Sequence, residues 1–228
     1  GTGVSITSVT DDIDGDLRPA SPDIGADQFT SAVSEDAGVS ALVAPAIPYC
    51  SGSQTVTVRL RNFGTATLND ITIDWTVNGT PQPTYNGTGL GIPSGGFADI
   101  DIGTYNFLDN TSYTVVATSS DPNGVPDPVA ANDSHTESGL EASLTGAYTI
   151  NSGAAASATN YTSINNAIAE LNAFGVCGAV VFDVAPGSGP YVGMVEFTEV
   201  AGAGAANTIT FNGNGEHIQY DPNSNSDK

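Results

Sequence analysis

Four aspartates crowd into six positions near the start of the chain, and their spacing is that of oxygen ligands. Asp12, Asp14 and Asp16, preceded by Asp11, form a D-x-D-G-D pattern. Hard cations such as Ca²⁺ take carboxylate oxygens from alternate positions of a loop, and a glycine permits the tight turn. The sequence therefore predicts a calcium site at Asp12, Asp14 and Asp16.

This aspartate cluster is also compatible with a simple turn or with a catalytic role. The bidentate glutamate of an EF-hand loop is missing, since Asp23 stands at the twelfth position behind two prolines. Aspartates also bond nearby backbone N–H groups in turns, and Arg18 could pair with one of them. Catalysis is the third interpretation, but a glycosidase needs two acids across a cleft, and these four share one loop.

A second oxygen-rich stretch lies in the middle of the chain and has two interpretations. It can be a calcium site, or a polar loop between two strands, which the pattern favours. Its residues are Asp121, Asn123, Asp127, Asn132 and Asp133.

An enzyme that cleaves acidic polysaccharides would need basic side chains, because a lyase must neutralise the substrate carboxylate. The chain offers only Arg18, Arg59, Arg61 and Lys228. Arg59 and Arg61 alternate along a strand pattern, which favours surface ion pairs. His135 and His217 stand in polar surroundings, and no zinc spacing, P-loop or dinucleotide fingerprint occurs. We therefore expect no catalytic residues.

Two cysteines, Cys50 and Cys177, could close a very long loop. A bridge between them would stabilise the fold by restricting the unfolded chain, and it could join two domains. Two buried thiols are the alternative, because spacing alone does not fix the geometry.

The charge balance excludes some classes of binding partner. Twenty-five acidic residues face four basic ones, giving a formal net charge of −21. Such a surface repels nucleic acid and anionic lipid, and it attracts cations. No apolar run approaches the length of a membrane span. We therefore expect an extracellular protein without nucleic-acid partners or membrane insertion.

The elements that position these residues fall into three regions: 1–35, 36–140 and 141–228. The first has one short apolar alternation, at Val4, Ile6 and Val9, before its acidic, proline-rich stretch. The second has six or seven short strands with period-two alternation, such as QTVTVRLRN and NDITIDWTVNG, which predicts a two-sheet sandwich with Trp75 in its core. Tyr113 stands where a tyrosine-corner bond forms.

The third region predicts one helix and three short strands. Ile164, Ile168 and Leu171 share a helical face, Thr162 or Ser163 can cap its start, and Gly175 can end it. AVVFDVAP, YVGMVEFTEV and NTITFNG follow as strands between glycine-rich turns. This spacing is typical of stacked coils of a parallel β-helix with a capping helix.

With these regions defined, the chain resembles very large secreted surface proteins of Bacteroidota. Five stretches of this chain resemble the opening of their β-helix units: YTIN, the SINNAIAEL helix, VVFDV, MVEF and NTITF. The stretch DIDGDLRPASPDIGADQF resembles the closing motif of the same units. The middle, with PYCSGSQTVTVRLRNFGT and PNGVPDPVAANDS, resembles the immunoglobulin-like CARDB domain. The resemblance implies an all-β fold: an immunoglobulin-like β-sandwich flanked by the end of one parallel β-helix and the start of another.

The resemblance implies a structural or adhesive repeat segment of a cell-surface protein or appendage, exported by the type IX route. Its expected partners are neighbouring repeats of the same chain or identical subunits, together with surface glycans or other cells. The alternative is a carbohydrate-binding or polysaccharide-degrading module built on a β-helix. A fibre in which open β-helix ends of different chains stack is a third hypothesis.

Overall fold

Antiparallel strands in two sheets make up the first half of the structure. The computed structural model describes Thr10 and residues 33–220. The first eight strands are β1 (Ala37–Ala44), β2 (Gly52–Asn62), β3 (Ile71–Val77), β4 (Thr80–Pro81), β5 (Tyr85–Gly87), β6 (Phe97–Phe107), β7 (Tyr113–Ser120) and β8 (Ser134–Leu140). One sheet has the order β1-β2-β6, and the other has the order β4-β3-β7-β8 with β5 also paired to β3.

The alternation in the sequence decides which side chains fill the space between these sheets. Val56, Val58 and Leu60 of β2 are buried, while the residues between them are more exposed. Ile73 and Trp75 of β3 face them from the other sheet at 0% and 2% exposure. The indole N–H of Trp75 donates to the carbonyl oxygen of Pro83 at 3.0 Å, so its polar atom is satisfied. The predicted sandwich and its Trp75 core are confirmed.

Local turn chemistry agrees with this arrangement. Asn78 and Gly79 both have positive φ, which is the geometry of a type I′ hairpin turn, and they join β3 to β4. The Tyr113 hydroxyl accepts a hydrogen bond from the backbone N–H of Leu108 at 3.0 Å. This bond back to an upstream backbone group is the contact predicted for Tyr113 as a tyrosine corner.

Parallel pairing replaces antiparallel pairing after residue 143. The elements are β9 (Leu144–Ile150), β10 (Asn160–Tyr161), α1 (Ile164–Phe174), β11 (Val176–Val184), β12 (Tyr191–Val192), β13 (Ile209–Asn212) and β14 (Ile218–Gln219). One sheet has the order β10-β9-β11-β13, and β12 pairs with β14 in a second. Every pair in both sheets is parallel. We call this part, residues 143–220, the parallel unit.

The helix α1 forms as its sequence predicts. Ser163 is the N-cap, and its side chain accepts a hydrogen bond from the backbone N–H of Asn166. Gly175 ends the helix with φ 66°, a conformation that favours glycine. The apolar face of α1, formed by Ile164, Ala167, Ile168 and Leu171, is buried against the parallel sheet.

The structure confirms an all-β chain with little helix, and it corrects one strand. YVGMVEFTEV was predicted as a strand, but only Tyr191 and Val192 are paired, and residues 193–200 have no regular structure. Gly193 turns the chain with φ 128°, so the following residues leave the line of β12. The β-helix end predicted within residues 1–35 lies almost wholly outside the described residues.

Candidate functional site

The predicted calcium ligands Asp12, Asp14 and Asp16 lie outside the described residues, as do Arg18 and Lys228. Within the described part of the chain, no group of three or more histidine, cysteine, aspartate or glutamate side chains is arranged to hold a metal ion. The candidate functional surfaces of the described residues are a junction with a polar cavity at one end of the parallel unit and an apolar groove at the other.

The first end is a junction where the sandwich meets the parallel unit. Cys50, just before β2, is joined by a disulfide to Cys177 at the start of β11, with the two Cα atoms 5.4 Å apart. Sandwich and parallel unit are therefore linked covalently as well as through the peptide between Leu140 and Leu144.

Ser143 reinforces this junction, although nothing in the sequence marks it. Its Oγ accepts from the backbone N–H of Tyr49 at 3.0 Å and donates to the carbonyl oxygen of Phe174 at 2.6 Å. Its own N–H donates to the carbonyl oxygen of Tyr49 at 2.8 Å. Because Ser143 is 1% exposed, water does not replace these bonds, and one side chain holds the segment between β1 and β2 to the end of α1.

A polar cavity of about 240 Å³ opens beside the junction. Glu141 and Glu170 both line it, together with Tyr161, Asn110 and Asn166. Burial, and then the charge of Glu141, raises the pKa of Glu170. Burial first, and Glu170 second, raises the pKa of Tyr161 as well. The cavity thus combines an aromatic side chain, amides and two carboxylates that repel each other.

The opposite end of the parallel unit carries an apolar groove of about 350 Å³. We call it the open groove. It is lined mainly by Ile164, Val184, Val195, Phe197, Phe211 and Ile218. One wall is fixed by Glu216, which accepts hydrogen bonds from the backbone N–H groups of Gly187 and Gly189. The charged end of that residue is therefore occupied, and the surface that remains is apolar.

Aromatic rings stack across the parallel strands toward the open groove. Tyr148, Phe182 and Phe211 occupy matching positions on β9, β11 and β13. Their ring centroids are 5.5 Å and 4.7 Å apart, with small interplanar angles. Phe182 is fully buried, whereas Phe211 is only partly buried because no further strand covers it within the described residues.

The second oxygen-rich stretch is used to hold the far end of the sandwich together. Asp127 accepts from the backbone N–H groups of Ala37 and Val129, and Asn132 donates to Asp36. Asn123 accepts from two backbone N–H groups and donates to Glu35 at 2.6 Å.

Burial, and then the charges of Asp127 and Asp36, raises the pKa of Asp133. The polar-loop interpretation accounts for these contacts.

The remaining polar candidates form ordinary surface contacts. Arg59 makes two hydrogen bonds to the Asp99 carboxylate, at 2.7 and 2.9 Å, which lowers the pKa of Asp99. The guanidinium of Arg61 lies 5.2 Å from the ring centroid of Phe63. His135, on the edge strand β8, lies 3.3 Å from Glu137. His217 carries no contact that suggests a role.

Sequence reasoning missed the two acids that share the polar cavity. Glu141 lies between two strands and Glu170 lies on α1, 29 positions later, so no local spacing connects them. None of the described helices is long and apolar enough to cross a membrane.

Comparison with known proteins returned structural likenesses only. No family model matches the chain, and no curated protein matches it. It is similar to the crystal structure of the CARDB domain of a Pyrococcus furiosus protein in complex with di-metal ions, with 16% identity and a TM-score of 0.39. That match covers 48% of this chain and 94% of the other.

A second match is the solution NMR structure of one domain of a Methanosarcina acetivorans protein, provisionally described as a cell surface protein. Identity is 21%, the TM-score is 0.39, and the match covers 48% of this chain and 93% of that one. Because both scores are low, the assignment of an immunoglobulin-like sandwich rests on the two antiparallel sheets and their shared core.

Proposed function

We propose that this chain is a structural and adhesive segment of a large extracellular surface protein or appendage. In this role the sandwich is a spacer, and the parallel unit is the beginning of a β-helix block. The single observation that carries the proposal is the junction, where the Cys50–Cys177 disulfide and the Ser143 hydrogen bonds fix one unit on the other. A spacer needs such a fixed junction, whereas a binding module on a flexible tether does not.

The parallel unit supports the second part of the proposal. Its strands pair in parallel, its aromatic rings stack from one strand to the next, and α1 covers one side of its core. These are features of stacked coils, in which each coil buries the face of its neighbour. We infer that α1 caps the first coil of a β-helix.

The charge and the disulfide support an extracellular location. A structural disulfide persists in oxidising surroundings, and a net charge of −21 is relieved where cations are abundant. Calcium at Asp12, Asp14 and Asp16, export by the type IX route, an origin in Bacteroidota, and attachment to surface glycans or other cells belong to the same proposal.

We also propose that the segment is not an enzyme. A lyase for acidic sugars needs a free basic side chain beside the substrate carboxylate. Of the two described arginines, Arg59 makes two hydrogen bonds to Asp99 and Arg61 lies over the Phe63 ring, and neither lines the polar cavity. The acidic pair at the polar cavity would repel such a substrate.

Small-angle X-ray scattering of the oxidised chain and of the C50S/C177S variant tests the spacer role. The oxidised chain should give one elongated shape that fits a single rigid arrangement of sandwich and parallel unit. The variant should keep its β content but scatter as a broader set of shapes. A flexible ensemble in the oxidised chain would contradict the proposal.

The polar cavity favours one second candidate, a carbohydrate-binding role. Glu141, Glu170 and Tyr161 offer hydrogen-bonding groups and an aromatic side chain in one recess, as sugar sites do. Titration calorimetry with neutral and amino-substituted oligosaccharides tests it, with E170Q as the variant that should weaken binding. An unchanged heat for E170Q would reject this candidate.

A further inference from the structure

We propose that the polar cavity beside the junction binds one protonated amino sugar unit of a polysaccharide, with the ammonium group held between Glu141 and Glu170. The inference rests on the carbohydrate-binding candidate and names the charge and the class of its sugar. Four features support it: the unpaired carboxylates, the excess of acceptor groups, the fixed walls and the position between two units.

The two carboxylates of the cavity have no described hydrogen-bond donor. Neither Glu141 nor Glu170 accepts a hydrogen bond from another described residue, and the described ion pairs lie elsewhere, on β2 with β6 and on β8. No described lysine, arginine or histidine side chain lines the cavity. Two carboxylates that share a recess without a counter-charge attract a positively charged ligand.

This acidic pair is unfavourable for the folded chain in the absence of a ligand. Burial, and then the charge of Glu141, raises the pKa of Glu170. A raised carboxyl pKa means that folding disfavours the charged form, so the two carboxylates oppose each other at neutral pH. Groups held in such surroundings are enriched at binding sites, where a ligand supplies the missing contact. The charge expected of this ligand is therefore positive.

The other polar groups of the cavity favour a ligand that is rich in donors. The Nδ2 group of Asn166 donates to Thr162 Oγ1 at 3.1 Å, so the side-chain oxygen of Asn166 is the group that remains for a ligand. Asn110 and Ser157 add further polar groups. A primary ammonium has three N–H donors, and sugar hydroxyls both donate and accept. A lysine side chain would instead bring an apolar stem beside these polar groups.

Contacts outside the cavity fix its walls. The ring of Tyr161 lies 5.8 Å from the rings of both Tyr148 and Phe182. The side chain of Asn160 donates to two backbone carbonyl oxygens and accepts from Thr149 Oγ1 at 2.7 Å. A pre-formed site loses little freedom on binding. Its volume of about 240 Å³ lies below the range of roughly 300–1,000 Å³ that drug-sized ligands fill, so it suits one sugar unit.

Both units of the molecule contribute to the cavity. Asn110 follows β6 of the sandwich, Glu141 lies between β8 and β9, and Glu170 belongs to α1. An occupant therefore contacts the sandwich, the linking segment and the parallel unit at once. Because a ligand that binds only the folded state stabilises it by mass action, binding should raise the melting temperature.

Titration calorimetry of the full chain with three trisaccharides of similar shape tests the class of sugar. Chitotriose carries free amino groups, triacetylchitotriose carries them as neutral amides, and cellotriose has hydroxyls in their place. At mildly acidic pH and about 0.15 M salt, chitotriose should bind at one site per chain. It should bind at least about tenfold more tightly than the other two, because charge-assisted hydrogen bonds are stronger than neutral ones.

Substitutions separate the cavity from the general attraction of an acidic chain for cations. E170Q and E141Q should each weaken chitotriose binding by at least about tenfold. E199Q removes the same charge at an exposed position and is the matched control, which should bind like the unmodified chain. Circular dichroism and the melting temperature establish that each variant is folded. An equal effect of all three substitutions would mean general attraction only and would overturn the inference.

The ligand series also distinguishes the inference from the proposals on which it depends. Equal affinity for chitotriose and triacetylchitotriose would overturn the amino sugar but leave a carbohydrate site standing. No binding of any trisaccharide would reject both, while scattering decides the spacer role independently. Binding of calcium chloride or of N-acetyl-lysinamide that E170Q weakens, at an affinity equal to that of chitotriose or higher, would assign the cavity to a metal ion or a basic side chain and overturn the inference.

Discussion

The sandwich and the parallel unit bury their apolar side chains to different degrees. In the sandwich, Phe107 is fully buried, and its ring meets the edges of Tyr49, Tyr105 and Tyr113 at 5.0–5.7 Å. The sandwich exposes Phe97 and Leu108 by more than half, as the parallel unit does Phe197 and Ile218, but the latter two line the open groove. Two packed sheets cover each other's inner faces, whereas each coil of a parallel stack needs a neighbouring coil or a capping element to cover it. The two regions therefore differ in which element covers a buried face.

The largest effect should come from removing the covalent link between the two regions. The C50S/C177S variant releases a loop closed over a sequence separation of 127, which corresponds to about 4–5 kcal/mol of lost stability. Guanidinium unfolding followed by Trp75 fluorescence, which reports the sandwich, and by circular dichroism, which reports both regions, measures it. The two signals should coincide in the oxidised chain and separate in the variant. Coincidence in both would mean that the junction does not depend on the bridge.

The next comparison replaces one phenylalanine in each region. F107A should cost about 3–5 kcal/mol, because it leaves a cavity in a closed core. F211A should cost clearly less, since one side of Phe211 faces the open groove and the neighbours can relax. The free energy of unfolding of the monomer, measured for both variants at low salt, shows which substitution destabilises the chain more. Equal losses would show that the parallel unit is packed as tightly as the sandwich.

Ser143 tests the hydrogen-bonded part of the junction. S143A removes the acceptor for the Tyr49 N–H and the donor for the Phe174 carbonyl oxygen, both at a buried position. An unsatisfied buried polar group costs about 1–3 kcal/mol, so a loss in that range is expected. S138A, on an exposed position of β8, is the control and should change stability little.

The smallest effect concerns the acidic pair at the polar cavity. The pKa of Glu170 is raised in the folded chain, so the folded state binds the proton more tightly than the unfolded state. The protonated Glu170 therefore contributes its full share to the free energy of unfolding below the ordinary glutamate pKa. This contribution is lost as the pH rises through the raised pKa of the folded state. E170Q should be slightly more stable than the unmodified chain at neutral pH, and the difference should vanish in acid. A difference that grows in acid would contradict this sign.

Local patterns predicted the elements, and contacts distant in sequence account for what they missed. The alternation of β2 and β3 and the capped face of α1 are local features, so they could be predicted from the sequence. MVEFTEV alternates equally well, yet a strand needs a hydrogen-bonded neighbouring strand, and residues 194–200 have none among the described residues. Ser143, Glu141 and Glu170 gain their roles from side chains brought together by the junction, which no spacing in the sequence encodes.

The position of the disulfide has a mechanical consequence. Tension applied to the chain on either side of the bridge would pass directly from Cys50 to Cys177, so β2 to β8, β9 and α1 would bear none of it. Reduction would place a segment of about 45 nm contour length under force, from a sequence separation of 127. The bridge thus makes the chain between the two cysteines inextensible, while β1, most of β11, and β12 to β14 lie outside the closed loop and yield first.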